Sequence, residues 1–260
     1  MTKAILQNRL PFLPWMDSRT NRLPGILPVE GEDWLRIDEA YAGQMARRDA
    51  LFAQCPEKVH ALLPQARPAA QELYALTLDW LKTQEGFAWK EASVLRPDGV
   101  EVSLDAENPL LTLGRLVQED LCIMEHDGTE SVLTGAALCF PASWTLGQKI
   151  GKRMLAIHVP VPEFDERVSK GVQRLFDAIR PEQMLWRMNY LTYDDPELHQ
   201  PRLEGESRPR PKDHVFVRCE RQVLRRLPQS RAVIFSIHTY VVTADTLTSD
   251  ERERLFAVTH

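Results

Sequence analysis

"LVQEDLCIMEHDGTESVLTGAALCF", residues 116–140, decides the fold. Two apolar runs flank His126-Asp127-Gly128-Thr129, where Asp-Gly supplies positive φ at little cost. The reading is a β-hairpin with strands over 116–125 and 130–140. Strand-like runs continue on both sides of it. Residues 93–95 and 100–104 flank the turn Pro97-Asp98-Gly99. Residues 184–191, 215–220 and "AVIFSIHTYVV" (232–242) carry the β-branched and aromatic side chains that strands favour.

Helical spacing brackets this sheet region. Trp34, Ile37, Ala40, Tyr41 and Met45 fall on one helix face, so the spacing predicts a helix from Asp33 to about Leu51, halted by Pro56. A short helix over Glu57–Leu63 and a longer one over Pro68–Lys82 follow, the latter with proline suited to a first turn. Phe164, Val168, Val172, Leu175, Phe176 and Ile179 predict a further amphipathic helix, with Glu163, Asp165 and Glu166 at its positive end. Thr248-Ser249-Asp250-Glu251 opens a terminal helix reaching His260. Residues 1–32, with prolines at 11, 14, 24 and 28, are expected to run extended over the core. The chain thus divides into residues 1–85, an extended segment and helices packing on the core, and the sheet-rich residues 86–260, together one α+β unit.

The 260 residues are 43% hydrophobic and 27% charged, the balance of a globular protein rather than a disordered one. A chain of this length buries roughly 70–75% of its extended surface, enough to hold an interior cavity. The net charge of −5 argues against a nucleic-acid footprint. Four cysteines, Cys55, Cys122, Cys139 and Cys219, include no CxxC pair, which argues against a zinc knuckle or a disulfide framework. The N-terminus lacks the apolar core of a signal peptide and no run reaches 18 apolar residues, so the expected location is cytoplasmic, with no membrane span. G-x-S-x-G, P-loop and G-x-G-x-x-G motifs are missing, which removes the usual support for serine hydrolase, P-loop and Rossmann chemistry.

The chemistry-bearing candidates are few. His158, in "GKRMLAIHVPVP" (151–162), lies in an apolar run. Such a histidine reads first as a core residue with satisfied nitrogens, and it has no HxH, HExxH or HxxE partner that would make a multi-ligand metal site. Haem needs only one axial ligand from the protein, so a solitary histidine is compatible with it. Cys139, in "AALCFPASW", is the alternative single donor, or a small core residue. Lys149, Lys152 and Arg153 place positive charge just upstream of His158, either to clamp an anion or as a solvated face. Arg187 and Asn189 alternate with apolar residues in "LWRMNYL", where a buried arginine requires an anionic partner. Arg218, Arg221, Arg225 and Arg226 form a guanidinium-rich run that either grips an anion or pairs with the chain's acids.

Four ordered blocks, "VQEDLCIM" (117–124), "LTGAALCFPASWTLGQKIGKRMLAIHVPVP" (133–162), "WRMNYLTYDDPELHQP" (186–201) and "VRCERQVLRRLPQSRAVIFSIHTYV" (217–241), resemble the haem-dependent oxidative N-demethylase α-subunit-like family. The resemblance covers most of the chain from about residue 10. It implies a PAS-like antiparallel sheet with flanking helices and a helical N-terminal extension, holding haem b. It also implies oxidative N-demethylation of a small secondary amine, dimethylamine-like, with dioxygen and electrons from flavin and iron–sulfur reductase partner subunits. By the same resemblance His158 is the axial ligand, with Cys139 as the alternative. Lys152, Arg153, Arg221 and Arg225 become candidates for the propionates, and Arg187 and Asn189 face the cavity. One departure stands out: His238 occupies the place where the family pattern "FxIRTY" carries arginine, so the position bears on haem binding. A PAS-like haem or small-ligand sensor without turnover is the competing class, and a haem-free scaffold a third.

Overall fold

The computed structural model describes residues 4–21, 24–158 and 166–258. In chain order the elements are β1 (Leu27–Pro28), α1 (Tyr41–Gln54), α2 (Pro56–Val59), β2 (His60–Leu62), α3 (Arg67–Leu81), β3 (Ala88–Trp89), β4 (Ser93–Leu95), β5 (Glu101–Ser103) and α4 (Pro109–Gly114). There follow β6 (Asp120–His126), β7 (Ser131–Ala137), α5 (Met154–His158), α6 (Glu166–Ala178), β8 (Leu185–Tyr193), β9 (Phe216–Arg226), β10 (Val233–Thr243) and α7 (Ser249–Val258). Seven strands form an antiparallel sheet in the order β1-β8-β9-β10-β6-β7-β2, and β3-β4-β5 make a small second sheet. The mixed helix-and-sheet class expected from the pattern is the one found. Residues before 86 do more than pack on the sheet, since they supply both of its edge strands.

The central hairpin forms as its turn chemistry dictates. Gly128 takes φ +97°, and the Asp127 carboxylate accepts from the Thr129 and Glu130 amides. Its strands are shorter than the sequence pattern implies. The amides of Leu116 and Val117 bond back to Leu113 at the end of α4, and the carbonyls of Leu116 and Gln118 accept from Tyr41 and Arg48, so no ladder is left for residues 116–119.

Two other expectations are corrected. The helix expected from Asp33 begins only at Tyr41, because the preceding side chains have other tasks. Asp33 pairs with Arg36 at 2.5 Å, and Asp38 accepts from the Ala40 amide, a local turn that competes with helix. The helix expected over Glu57–Leu63 stops at Val59, since His60–Leu62 pair with Gly135–Ala137 on the sheet edge.

Each face of the large sheet is buried. Val223, Ile234, Leu121 and Ile123 point to one face and join Trp34, Leu73, Leu110 and Leu113 in the main core under α3 and α4. Leu224, Val233, Cys122 and Met124 point to the other and pack against Met154 of α5 and Phe176 of α6. A third cluster seats Trp15, 2% exposed, against Met188, Val217, Tyr240 and Leu255, which is where the extended N-terminal segment wraps the core.

Candidate functional site

The segment leading to His158 is stitched to the sheet. The Gly151 amide bonds the Leu133 carbonyl, the Leu133 amide bonds Lys152, and Arg153 bridges to Val132. Five residues of helix follow. Lys149, 5% exposed, donates to the Ile157 carbonyl at 2.6 Å and to Glu204 at 2.7 Å, so an ammonium sits at the negative end of α5. His158 closes that helix, and its side chain lies outside the described residues, as do 159–165, which carry two of the three acids expected at the start of the next helix. Met154 and Ile157 of α5 and Val172, Leu175 and Phe176 of α6 pack on the Leu224/Val233/Cys122 face.

Beside that apolar patch, the same face of the sheet becomes polar. The strand period of two and the β8/β9/β10 register align Arg187, Gln222 and Ile237 in one row, and Asn189, Glu220 and Thr239 in the next. Glu220 is the hub. It accepts from Asn189 at 3.0 Å, Gln222 at 3.2 Å and Arg218 at 3.2 Å, while its amide donates to the Asn189 side-chain oxygen at 3.1 Å. The Asn189 amide is therefore fully engaged in holding this carboxylate. Arg218 is itself anchored through the Phe140 and Leu198 carbonyls. Arg187 differs: among the described residues its guanidinium makes no hydrogen bond, its Nε is buried and unpartnered, and burial pushes it down from its usual value against the opposing pull of Glu220. Among the described residues, the Thr239 hydroxyl and Arg218 Nε are also buried without partners on the same face. Buried polar atoms are nearly always satisfied by protein or by water, so these three, close together on one face, are free to bond water or a polar ligand.

The other face of β9 and β10 carries the remaining expected residues. Arg221 donates to the Trp34 carbonyl at 3.0 Å and pairs with Asp33 at 3.1 Å, and Arg225 lies 4.4 Å from the Trp34 ring centroid. His238, 1% exposed, lies between Glu119 at 2.9 Å and Asp38 at 3.1 Å. Burial alone would lower its pKa, but the two carboxylates outweigh it and raise the imidazole to about 9, so it is an imidazolium that donates from both nitrogens. The sheet thus divides the expected set. Arg187 and Asn189 share a face with the α5/α6 cover, whereas Arg221, Arg225 and His238 face the N-terminal segment and cannot line the same pocket. Lys152 lies 3.7 Å from Glu204 and Arg153 2.7 Å from Asp127, both in partly exposed pairs at the hairpin end. The guanidinium-rich run is broken up by the same alternation, Arg226 capping the Ile179 carbonyl beneath α6.

Cys139 is fully buried in the main core, its amide donating to Asp120 and its carbonyl receiving His199, and burial pushes its thiol up to about 12. That places it as a neutral core side chain. Glu220 is a functional residue to which the sequence pattern assigned no role. The readable signal was alternation in "RCERQ", which puts Arg218, Glu220 and Gln222 on one face.

With this geometry in place, comparison with known families adds one finding. A family model described as "Haem-dependent oxidative N-demethylase, alpha subunit-like" matches residues 25–259.

Proposed function

The chain belongs to the haem-dependent oxidative N-demethylase, alpha subunit-like family, and we propose that it is the haem-carrying subunit of an oxygenase that removes a methyl group from a small secondary amine of the dimethylamine kind. The match over 25–259 carries this reading, and the row of orphaned polar atoms beside an apolar patch supports it. We take the fold as a PAS-like haem domain, with His158 as axial ligand through α5. The residue types suit such a group: the Leu224/Val233/Cys122 cluster under α5 and α6 is apolar, and one row away Arg187 is a half-buried cation whose Nε has no partner among the described residues.

Haem, when bound, supplies dioxygen activation. The chain's own groups do the rest. Lys149 fixes the end of α5, the helix that carries His158, and Asn189 and Gln222 hold the Glu220 carboxylate as the negative element of the polar row. The packed α5 and α6 side chains exclude water from the Leu224/Val233/Cys122 cluster beside that row. In the overall balance one oxygen atom goes to the methyl carbon and the other leaves as water, consuming two electrons and two protons. The carbinolamine then splits into formaldehyde and a primary amine. The electrons come from flavin and iron–sulfur partner subunits, for which this chain carries no CxxC cluster motif and no G-x-G-x-x-G fingerprint.

The test is an absorption spectrum of the purified protein, oxidised, reduced and with carbon monoxide, followed by dimethylamine turnover with an electron donor. A Soret band with a nitrogen-ligand signature, and formaldehyde release that tracks oxygen uptake, is the expected result. Haem without turnover would favour the ligand-sensing class, and no Soret band after haem supplementation would reject the assignment.

A further inference from the structure

We propose that Arg187 is the receptor for a carboxylate carried by the ligand of the α5/α6-covered face. The proposal rests on the functional reading above for where the ligand lies, but its chemistry comes from the sheet itself.

Arg218 and Glu220 pair at 3.2 Å, and Asn189 and Gln222 complete the shell around Glu220. Arg187 is left over. A guanidinium has five N–H donors and cannot shed its charge, so a half-buried one whose Nε is sealed from solvent and has no acceptor among the described residues costs more than a neutral group left unpaired. Other buried guanidiniums of this chain are supplied with acceptors. Arg48 has Asp120, Gly114 and Gln118, Arg96 has Asp49 and Asp98, and Arg221 has Trp34 and Asp33. Among the described residues the two half-buried guanidiniums without a hydrogen-bond acceptor are Arg187 and Arg225; Arg225 lies over the Trp34 ring, 4.4 Å from its centroid, and Arg187 has no such substitute.

An incoming carboxylate supplies what is missing: two oxygens in the plane of the fork, one unit of compensating charge, and relief of the burial that now depresses the group. A neutral ligand would leave the cation unpaired. A free alkylammonium would be repelled unless a propionate had already neutralised the fork. Two sources share the chemistry, a propionate of the porphyrin and a carboxylate on the amine substrate itself, which would then be an N-methyl amino acid.

The experiment uses the full-length chain and its Arg187→Gln and Arg187→Lys variants. Each is titrated with haem, with haem dimethyl ester and, by calorimetry with and without haem, with N-methylglycine and dimethylamine. If the acceptor is a propionate, R187Q weakens haem binding about ten- to hundredfold, leaves the diester unchanged, and R187K restores part of the loss. If it is on the substrate, haem binding is untouched, the wild type prefers N-methylglycine to dimethylamine, and R187Q abolishes that preference. R187Q is expected to melt no lower than the wild type, because a half-buried charge without a hydrogen-bond acceptor among the described residues is removed. Unchanged binding of both probes overturns the proposal, as does a fall in melting temperature in both variants, which would make Arg187 structural. A wild type that takes up no haem rejects the functional reading, and the proposal is then decided by N-methylglycine alone, no binding of which overturns it.

Discussion

His238 is a buried imidazolium because two carboxylates converge on it from different parts of the chain. Asp38 arrives on the loop before α1, and Glu119 on the turn before β6. Gln118 and Gln7 also donate to Asp38, and although burial alone would raise that carboxyl, these partners and His238 hold it at about 2. The neighbouring Tyr240, Arg36, Asp33 and Arg221 complete the charged surroundings. The sign of the pH dependence follows. The His238 contribution, about 3 kcal/mol for a rise from 6.5 to about 9, is fully present below pH 6.5 and lost as pH rises through 9. The Asp38 contribution is present above its unfolded value near 4 and lost as pH falls toward 2. Thermal melts of wild type and His238→Gln from pH 6 to 10 should therefore start well apart and converge above pH 9. A constant gap would show that the imidazole does not titrate in this range. At the same scale, His158→Ala should abolish haem retention, and a variant with normal haem content and spectrum rejects that ligand choice. Lys149→Met should weaken haem retention while leaving the secondary structure intact, by freeing the end of α5.

At the scale of elements, the alternation of β8, β9 and β10 does more than build a sheet. It sorts arginines that are neighbours in sequence onto opposite faces, so that Arg218 joins Glu220 while Arg221 reaches Trp34. The strand pattern of "AVIFSIHTYVV" was legible, and β10 forms at 233–243. Partners across strands were not, because register depends on loops whose lengths do not announce it. Helix seating is equally specific. A Cβ built on Gly114 of α4 would come within 2.5 Å of Phe52 Cζ and 3.2 Å of Ala137 Cβ. Gly114→Ala should destabilise by about 1–3 kcal/mol in chemical denaturation, through forced repacking of α4 against α1 and β7. Arg48 on α1 pairs with Asp120 of β6 at 2.7 Å with both groups essentially inaccessible. Arg48→Met strands that carboxylate and should cost about 3–5 kcal/mol in the same assay.

At the scale of the whole molecule, the N-terminal segment functions as a strap. The Gln7 amide and side chain pair with Val241 on the part of β10 that extends beyond β6, and Trp15 packs 5.1 Å from Tyr190 and donates to Glu251 on α7. Deleting residues 1–20 leaves the family-matched region 25–259 whole. It should nonetheless lower the melting temperature by about 10 °C or more and increase binding of a hydrophobic dye, since Met188, Val217 and Tyr240 lose their cover. An unchanged melting curve would show that the strap contributes nothing to the core.

Local chemistry settled the hairpin at Gly128, the strand and helix types, and the ordered blocks of the family, because propensity, turn geometry and residue order are properties of neighbours in the chain. Tertiary structure alone decided that His238 is charged, that Asn189 is committed to Glu220, and that Arg187 has no acceptor among the described residues. Those outcomes depend on which distant groups burial brings within a hydrogen bond of one another, and on which they leave unpaired.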